Sequence, residues 1–152
     1  MLDEIDVRIL DILQKNGRTR RNELAEVVGL SLPSVSDRLR KLEEGGVILG
    51  YAATVNPKKV GKDITAFIMA TVDSSKHYGN FIDHASATEE ILECHAITGE
   101  GSHLLKIRTE NTATLEKLLA KIQSWAGVMG TKTHLVLSSP KESMKLKIIH
   151  SK

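Results

Sequence analysis

Along the N-terminal third of the chain, apolar residues recur every three or four positions; beyond residue 60 they gather into short runs separated by helical stripes. Ile5, Ile9, Ile12 and Leu13 predict a helix over residues 3–16, opened by Asp3 as a cap and closed by Asn16-Gly17. Leu24, Ala25 and Val28 mark the inward face of a second helix, which Gly29 breaks. Ser31 opens a third, on which Leu32, Val35, Leu39 and Leu42 form one stripe. Steric reasons tie these last two helices into a helix-turn-helix. Ala25 is small enough for them to cross closely, Gly29 accepts the positive φ of a sharp turn, and Val35 fills the angle between them.

Gly45-Gly46 stops the third helix, and residues 47–55 have strand character in the place of the wing of a winged helix-turn-helix. A turn follows at Asn56-Pro57, and a boundary near residue 60 divides the chain into domains 1–60 and 61–152. Past it, residues 64–72 read as a near-continuous apolar strand, with Ile64, Phe67 and Met69 suggesting apolar side chains on both its faces. Tyr78, Phe81, Ile82 and Ala85 form a helix face. Residues 91–98 and 104–109 read as a hairpin around a tight Gly99-Glu100-Gly101-Ser102 loop. Leu115, Leu118, Leu119, Ile122 and Trp125 mark another helix, and residues 132–137 a last strand. The order βαββαβ is the ferredoxin-like arrangement, so the fold class is α+β, with a winged helix-turn-helix followed by an antiparallel sheet covered on one side. The uncovered face is expected to be apolar and to dimerise sheet against sheet. In the tail, Lys145 and Lys147 alternate with Leu146 and Ile148, which suggests an added edge strand over residues 144–149.

Charge changes the picture through its distribution. Lys+Arg of 21 against Asp+Glu of 19 leaves a formal net charge of only +2 over the 152 residues. Yet Arg8, Arg18, Arg20, Arg21, Arg38 and Arg40 all lie in the first third, with Arg108 alone beyond. Guanidinium groups match phosphate and guanine better than ammonium groups do, so this bias points to nucleic-acid contacts at the N-terminal end. The single Cys94 excludes an internal disulfide and is read as a small core residue. No apolar run approaches a membrane span and the acidic start lacks signal-peptide character, so a cytoplasmic protein without membrane contact is expected. His77, His84, His95, His103, His134 and His150 show no ligand spacing, so no metal is expected. There is no nucleophile with its base, no phosphate-cradling loop before a helix and no acidic pair placed for proton transfer. Neither an enzyme nor a cofactor is expected.

The third helix carries the chemistry. Its free side presents Pro33, Ser34, Asp37, Arg40 and Lys41, with Ser36 and Arg38 on the flanks and Ser31 at its start. Hydroxyls near the beginning of a helix and arginines further on suit the major groove of duplex DNA. Asp37 stands apart, because a carboxylate near phosphate is repelled unless it accepts from a cytosine amine or orients Arg40 or Lys41. Arg18, Arg20 and Arg21 lie at the mouth of the preceding helix, where cations and free N–H groups can meet a phosphate together.

The segments LDEIDVRIL, GLSLPSVSDRLRKLEEGGVILGY, ITGEGSHLLKI and THLVLSSPKE, in this order and spacing, resemble the patterns of the Lrp/AsnC family of feast/famine transcriptional regulators across both halves of the chain. The resemblance implies an N-terminal DNA-binding domain with a hinge strand and a C-terminal effector and assembly domain. It further implies dimers, commonly gathered as octamers of four dimers, partnered by double-stranded DNA and an amino-acid effector. It places the effector at the loop of Thr98, Gly99, Glu100, Gly101, Ser102 and His103, with Thr133 and His134 of the last strand as pocket or interface groups. Backbone N–H groups of the two glycines could cradle an α-carboxylate. Many relatives carry an aspartate and an aromatic where this chain has Ser102 and His103, which leaves Glu100 as the counter-charge for an α-ammonium group. The same composition suits a tight hairpin with no effector. A sensing or assembly module without operator specificity is the alternative reading of the whole.

Overall fold

Two aspartates start the first helix. In the computed structural model, which describes residues 1–149, Asp3 caps α1 (Glu4–Lys15) by accepting the Asp6 N–H at 2.8 Å, and the Asp6 carboxylate accepts the Asp3 N–H at 3.2 Å. His150 and the two residues after it lie outside the described residues. Helix α2 (Arg21–Val28) ends at Gly29, whose φ of 72° is left-handed; the N–H groups of Gly29 and Leu30 both bond to the Ala25 carbonyl, at 2.9 and 3.1 Å. Ser31 then caps α3 (Leu32–Glu44), accepting the Ser34 N–H at 3.3 Å, with Pro33 in the first turn. Ile9, Leu24 and Val35 are fully buried where the three helices meet, ringed by Leu10, Ala25, Val28, Leu39 and Leu42. Leu32 departs from the expected stripe. One turn ahead of Val35, it lies past the last buried layer and is 47% exposed.

The chain folds as two compact units, residues 1–54 joined by the tail from Lys141, and Val55–Pro140. Two expected strands are absent. Residues 47–55 form no ladder, because an extended segment becomes a strand only when a neighbouring strand takes its N–H and C=O groups, and among the described residues none pairs with it; the Val47 and Ile48 N–H groups bond instead to the Leu42 carbonyl, at 2.9 and 3.0 Å. Ile48 packs on the helical core, and the Tyr51 hydroxyl donates to Glu43 Oε1 at 2.9 Å. Residues 144–149 form no edge strand either. The Gln14 carboxamide instead takes the place of a neighbouring backbone, donating to the Leu146 carbonyl at 3.0 Å and accepting the Leu146 N–H at 2.7 Å, while Ile148 packs on the helical core.

The second unit is ferredoxin-like: β1 (Ile64–Val72), α4 (Tyr78–Ala87), β2 (Ile91–Ala96), β3 (His103–Thr109), α5 (Thr112–Gln123) and β4 (Val128–Leu135). The strands stand in the order β2-β3-β1-β4, and every neighbouring pair is antiparallel. Ile68 lies opposite Leu105 on one side and Thr133 on the other. Ala66, Ile68, Ala70 and Val72 of β1 share one buried cluster with Leu105 and Ile107 of β3 and with Phe81, Ala85, Leu118 and Ile122 of the two helices. Trp125 joins this cluster from just beyond α5, which stops at Gln123; the left-handed Gly127 then turns the chain so that β4 begins before the expected residue 132. Cys94 is half-buried against the cluster rather than inside it.

The sheet face opposite this core carries Thr65, Phe67, Met69 and Thr71 of β1, with Leu104, Lys106 and Arg108 of β3 and Lys132 and His134 of β4 beside them in register. Phe67 is 37% exposed. The expectation of an apolar face is therefore corrected: it is mixed, because Phe67 and Met69 of β1 and Leu104 of β3 stand among Lys106, Arg108, Lys132 and His134. No helix among the described residues is long and apolar enough to cross a membrane.

Candidate nucleic-acid interface and effector loop

At about 100° per residue, Asp37 falls roughly 200° round α3 from the fully buried Val35, at the middle of the outer face. Ser34, Asp37, Arg40 and Lys41 are all exposed there, and Ser31 is exposed at the cap. The Ser31 hydroxyl lies 2.9 Å from that of Ser34, so the two act as one short polar cluster at the start of the helix. Ser36 and Arg38 fall on opposite flanks and turn to different neighbours. Ser36 accepts from Arg21 Nη1 of α2 at 3.4 Å. Arg38 reaches the start of α1, meeting Asp3 at 2.6 Å and Asp6 at 2.9 Å.

These pairings sort the cations that the sequence left equivalent. Arg38 bridges both capping carboxylates of α1; the Asp6 N–H, and then the Arg38 guanidinium, hold the Asp3 carboxyl below its usual range. Arg40 meets Asp37 and Glu44, each at 2.8 Å, and Lys41 meets the second oxygen of Asp37 at 2.9 Å. Arg8 donates to the Val27 carbonyl at 2.9 Å and ties α1 to α2. Arg18 and Arg20 are exposed, and their side chains have no acidic partner within ion-pairing distance among the described residues. Asp3 and Asp6 as partners of Arg38 were not anticipated from the sequence, although an acidic pair three residues apart at a helix start was a signal that a cation had to answer.

The loop after β2 divides its residues between surface and core. The Ser102 hydroxyl accepts the Val72 N–H at 3.0 Å, lies 3.3 Å from the Ala70 carbonyl and contacts His103 Nδ1 at 2.9 Å, which stitches the hairpin to β1. His103 points into the core between Tyr78 and Phe81, with ring centroids 4.8 and 4.9 Å away; it is 1% exposed and its Nε2 has no hydrogen-bond partner among the described residues. Burial pushes its pKa down. His103 is thus turned into the core rather than toward a ligand, while Ser102 is half-buried with its hydroxyl engaged by β1 and His103. Thr98, Gly99 and Glu100 remain exposed. Gly101, at φ 75°, leaves no room for a Cβ, which would stand 2.6 Å from Met69 Cγ.

Glu100 reaches Lys132 of β4 at 3.1 Å, an exposed pair beside a shallow hollow of about 360 Å³ lined by Met69, Thr71, Glu100, Gly101, Gly130, Thr131 and Lys132. No sequence signal singled out Lys132. His134 shares a sheet face with Lys132, opposite Phe67, whereas Thr133 pairs with Ile68 on the helix-covered face. Neighbouring strand residues point to opposite sides, so Thr133 and His134 cannot line one site together. Among the described residues, no group of three or more His, Cys, Asp or Glu side chains is placed to hold a metal ion.

A family model described as the Lrp/AsnC ligand binding domain matches residues 65–146, more than half of the chain, and a winged helix-turn-helix DNA-binding model matches residues 2–48. The chain belongs to the Lrp/AsnC family. This Lrp/AsnC protein is 40% identical over 147 residues to the HTH-type transcriptional regulator FL11 of Pyrococcus abyssi, covering 97% of each chain. It is 36% identical over 150 residues to the leucine-responsive regulatory protein of Escherichia coli K12, covering 97% of this chain and 92% of that one. A transcriptional regulator from Neisseria meningitidis, solved as its L-Met complex, superposes with a TM-score of 0.90 at 32% identity, covering 97% of each chain. The Lrp/AsnC protein described here is accordingly a DNA-binding transcriptional regulator and not an enzyme.

Proposed function

We propose that the N-terminal unit reads an operator through the outer face of α3 while Arg18, Arg20 and Arg21 grip the phosphates, and that the C-terminal unit binds an amino acid and assembles the protein. One observation carries the reading: Val35, Leu39 and Leu42 lock α3 from beneath while Ser34, Asp37 and Arg40 stay exposed on its far side. The arginines at the mouth of α2 supply cations that have no acidic partner within ion-pairing distance among the described residues, where α2's first N–H groups also lie. For the effector, Glu100 and Lys132 bring opposite charges to the lining of the hollow, complementary to a zwitterion once their mutual pairing is exchanged for the ligand, and the Neisseria relative was solved with L-Met. An exposed ion pair contributes only about 0–1 kcal/mol, so a ligand can replace it at little cost. The open sheet face, with Phe67 and Met69 at its centre, is the surface for a second copy, and dimers would gather four at a time. A regulator of this kind works in the cytoplasm, where the DNA is.

The test is operator affinity as a function of salt, with and without L-methionine. The wild type should lose affinity steeply as salt rises, and replacing Arg18, Arg20 and Arg21 by alanine should make the log–log slope shallower by about 0.9 for each phosphate contact removed. An unchanged slope would remove these arginines from the interface. An affinity that no member of an amino-acid panel alters would remove the effector.

A further inference from the structure

Resting on the reading of α3 as the helix that enters the groove, we infer that Asp37 is the specificity-determining residue of this regulator, accepting a hydrogen bond from the N4 amine of one cytosine in its operator. Asp37 holds the centre of the outer face of α3, opposite the fully buried Val35, and its side chain is 48% exposed. A helix cannot bring its outer face to the bases without bringing this carboxylate too.

An unaccompanied carboxylate would be driven off by the phosphates, but this one has company on both oxygens. Arg40 Nη2 meets Oδ1 at 2.8 Å and Lys41 Nζ meets Oδ2 at 2.9 Å. An aspartate is ionised and acceptor-only at neutral pH, and the hydrogen bonds from Arg40 and Lys41 hold the Asp37 pKa below even its usual value. Both of its oxygens therefore face a cation, and with Glu44, 2.8 Å from Arg40, the four groups are formally neutral, so the cluster as a whole is not repelled by the phosphates. A carboxylate has about four lone-pair directions and these pairs use two of them, which leaves acceptors directed outward.

Only two groups in the major groove can donate to such an acceptor, cytosine N4 and adenine N6. Adenine N6 lies between two acceptors, its own N7 and the O4 of the paired thymine, and both repel a carboxylate. Cytosine N4 has an acceptor on one side only, the O6 of its guanine. The acid therefore selects cytosine, and the penalty for wrong bases is repulsive as well as a lost bond. Arg38 is directed to Asp3 and Asp6, so this discrimination falls to Asp37 rather than to the arginine beside it.

The experiment is in vitro selection of duplex DNA with the full chain, followed by affinities at fixed salt for the selected site and its single base-pair variants. The wild type should select a site with one position held as cytosine, where substitution loses about tenfold to a hundredfold. Asp37→Ala should make that position degenerate and leave the others as they were. Freed cations should also tighten its binding to random DNA and steepen the salt slope by about 0.9 for one new phosphate contact. Asp37→Asn, close in shape and able to pair with adenine N6 and N7 together, should turn the preference from cytosine to adenine. Helical content of the variants, read by circular dichroism, should match the wild type. If both variants select the wild-type base at every position, or Asp37→Ala weakens all sequences equally, Asp37 merely orients its neighbours and the inference fails while α3 remains the DNA helix. If the wild type selects no site, the reading of α3 fails with it.

Discussion

Replacing Arg38 by alanine leaves two carboxylates at the start of α1 without their cation. Asp3 is 52% exposed, so its 2.6 Å pair with Arg38 belongs with surface salt bridges and contributes about 0.5 kcal/mol. Asp6 is only 15% exposed at 2.9 Å, closer to a charged hydrogen bond in a partly buried setting, and contributes about 1–2 kcal/mol. Together they predict a loss of about 2 kcal/mol, felt where α1 and α3 meet. The only tryptophan, Trp125, belongs to the other unit, so fluorescence would miss the change. Amide hydrogen exchange resolved by peptide is the suitable assay, and 2 kcal/mol corresponds to roughly thirtyfold faster exchange in α1 and α3 with the ferredoxin-like unit unaffected. Asp6→Asn keeps a capping oxygen while removing the charge, so adding Arg38→Ala to it should cost much less than Arg38→Ala alone. Because the Asp3 pKa is lowered in the folded chain, its contribution is present above the ordinary value of 3.8 and is lost as pH falls through the lower folded value. Exchange within twofold of wild type, together with a change of base preference at one operator position, would show that Arg38 reads DNA and that the bridge to α1 is incidental.

Two further predictions concern the second unit, where Trp125 fluorescence is the appropriate probe. At Gly127 the φ is 83° and an added Cβ would stand 2.5–2.7 Å from three atoms of His77; Gly127→Ala should destabilise the unit by about 2–4 kcal/mol and lower its urea midpoint by about 1–2 M, and an unshifted midpoint would contradict this. His103 is lowered in the folded chain from an ordinary value of 6.5, so stability should be complete above that pH and fall as pH drops from there toward the folded value. His103→Leu should abolish the part of the decline between pH 7.5 and pH 5.5 that His103 contributes, and equal declines in both proteins would exclude it as the cause.

What the sequence determined by itself was mostly local. Three helices, the turn at Gly29 and the caps at Asp3 and Ser31 were legible because they arise from contacts three or four residues apart, and strand β1 because its run of residues is apolar apart from Thr65 and Thr71. The order βαββαβ followed from the alternation of periods, and the exposed face of α3 from the angle each residue makes with Val35. Tertiary structure decided what depends on distant partners. Arg40 and Lys41 find partners three or four residues away, but Arg38 and Asp3 are 35 residues apart and Glu100 and Lys132 are 32, so no local pattern could show that these last pairs meet. Residues 47–55 carry strand-forming side chains but make no strand, since a ladder is a property of two segments. His103 looked like a loop residue open to a ligand. It is the first residue of β3, and the register that places Ala70 beside it turns its ring into the core. Periodicity reports which side of an element is apolar; only packing reports what that side, or the polar one, finally meets.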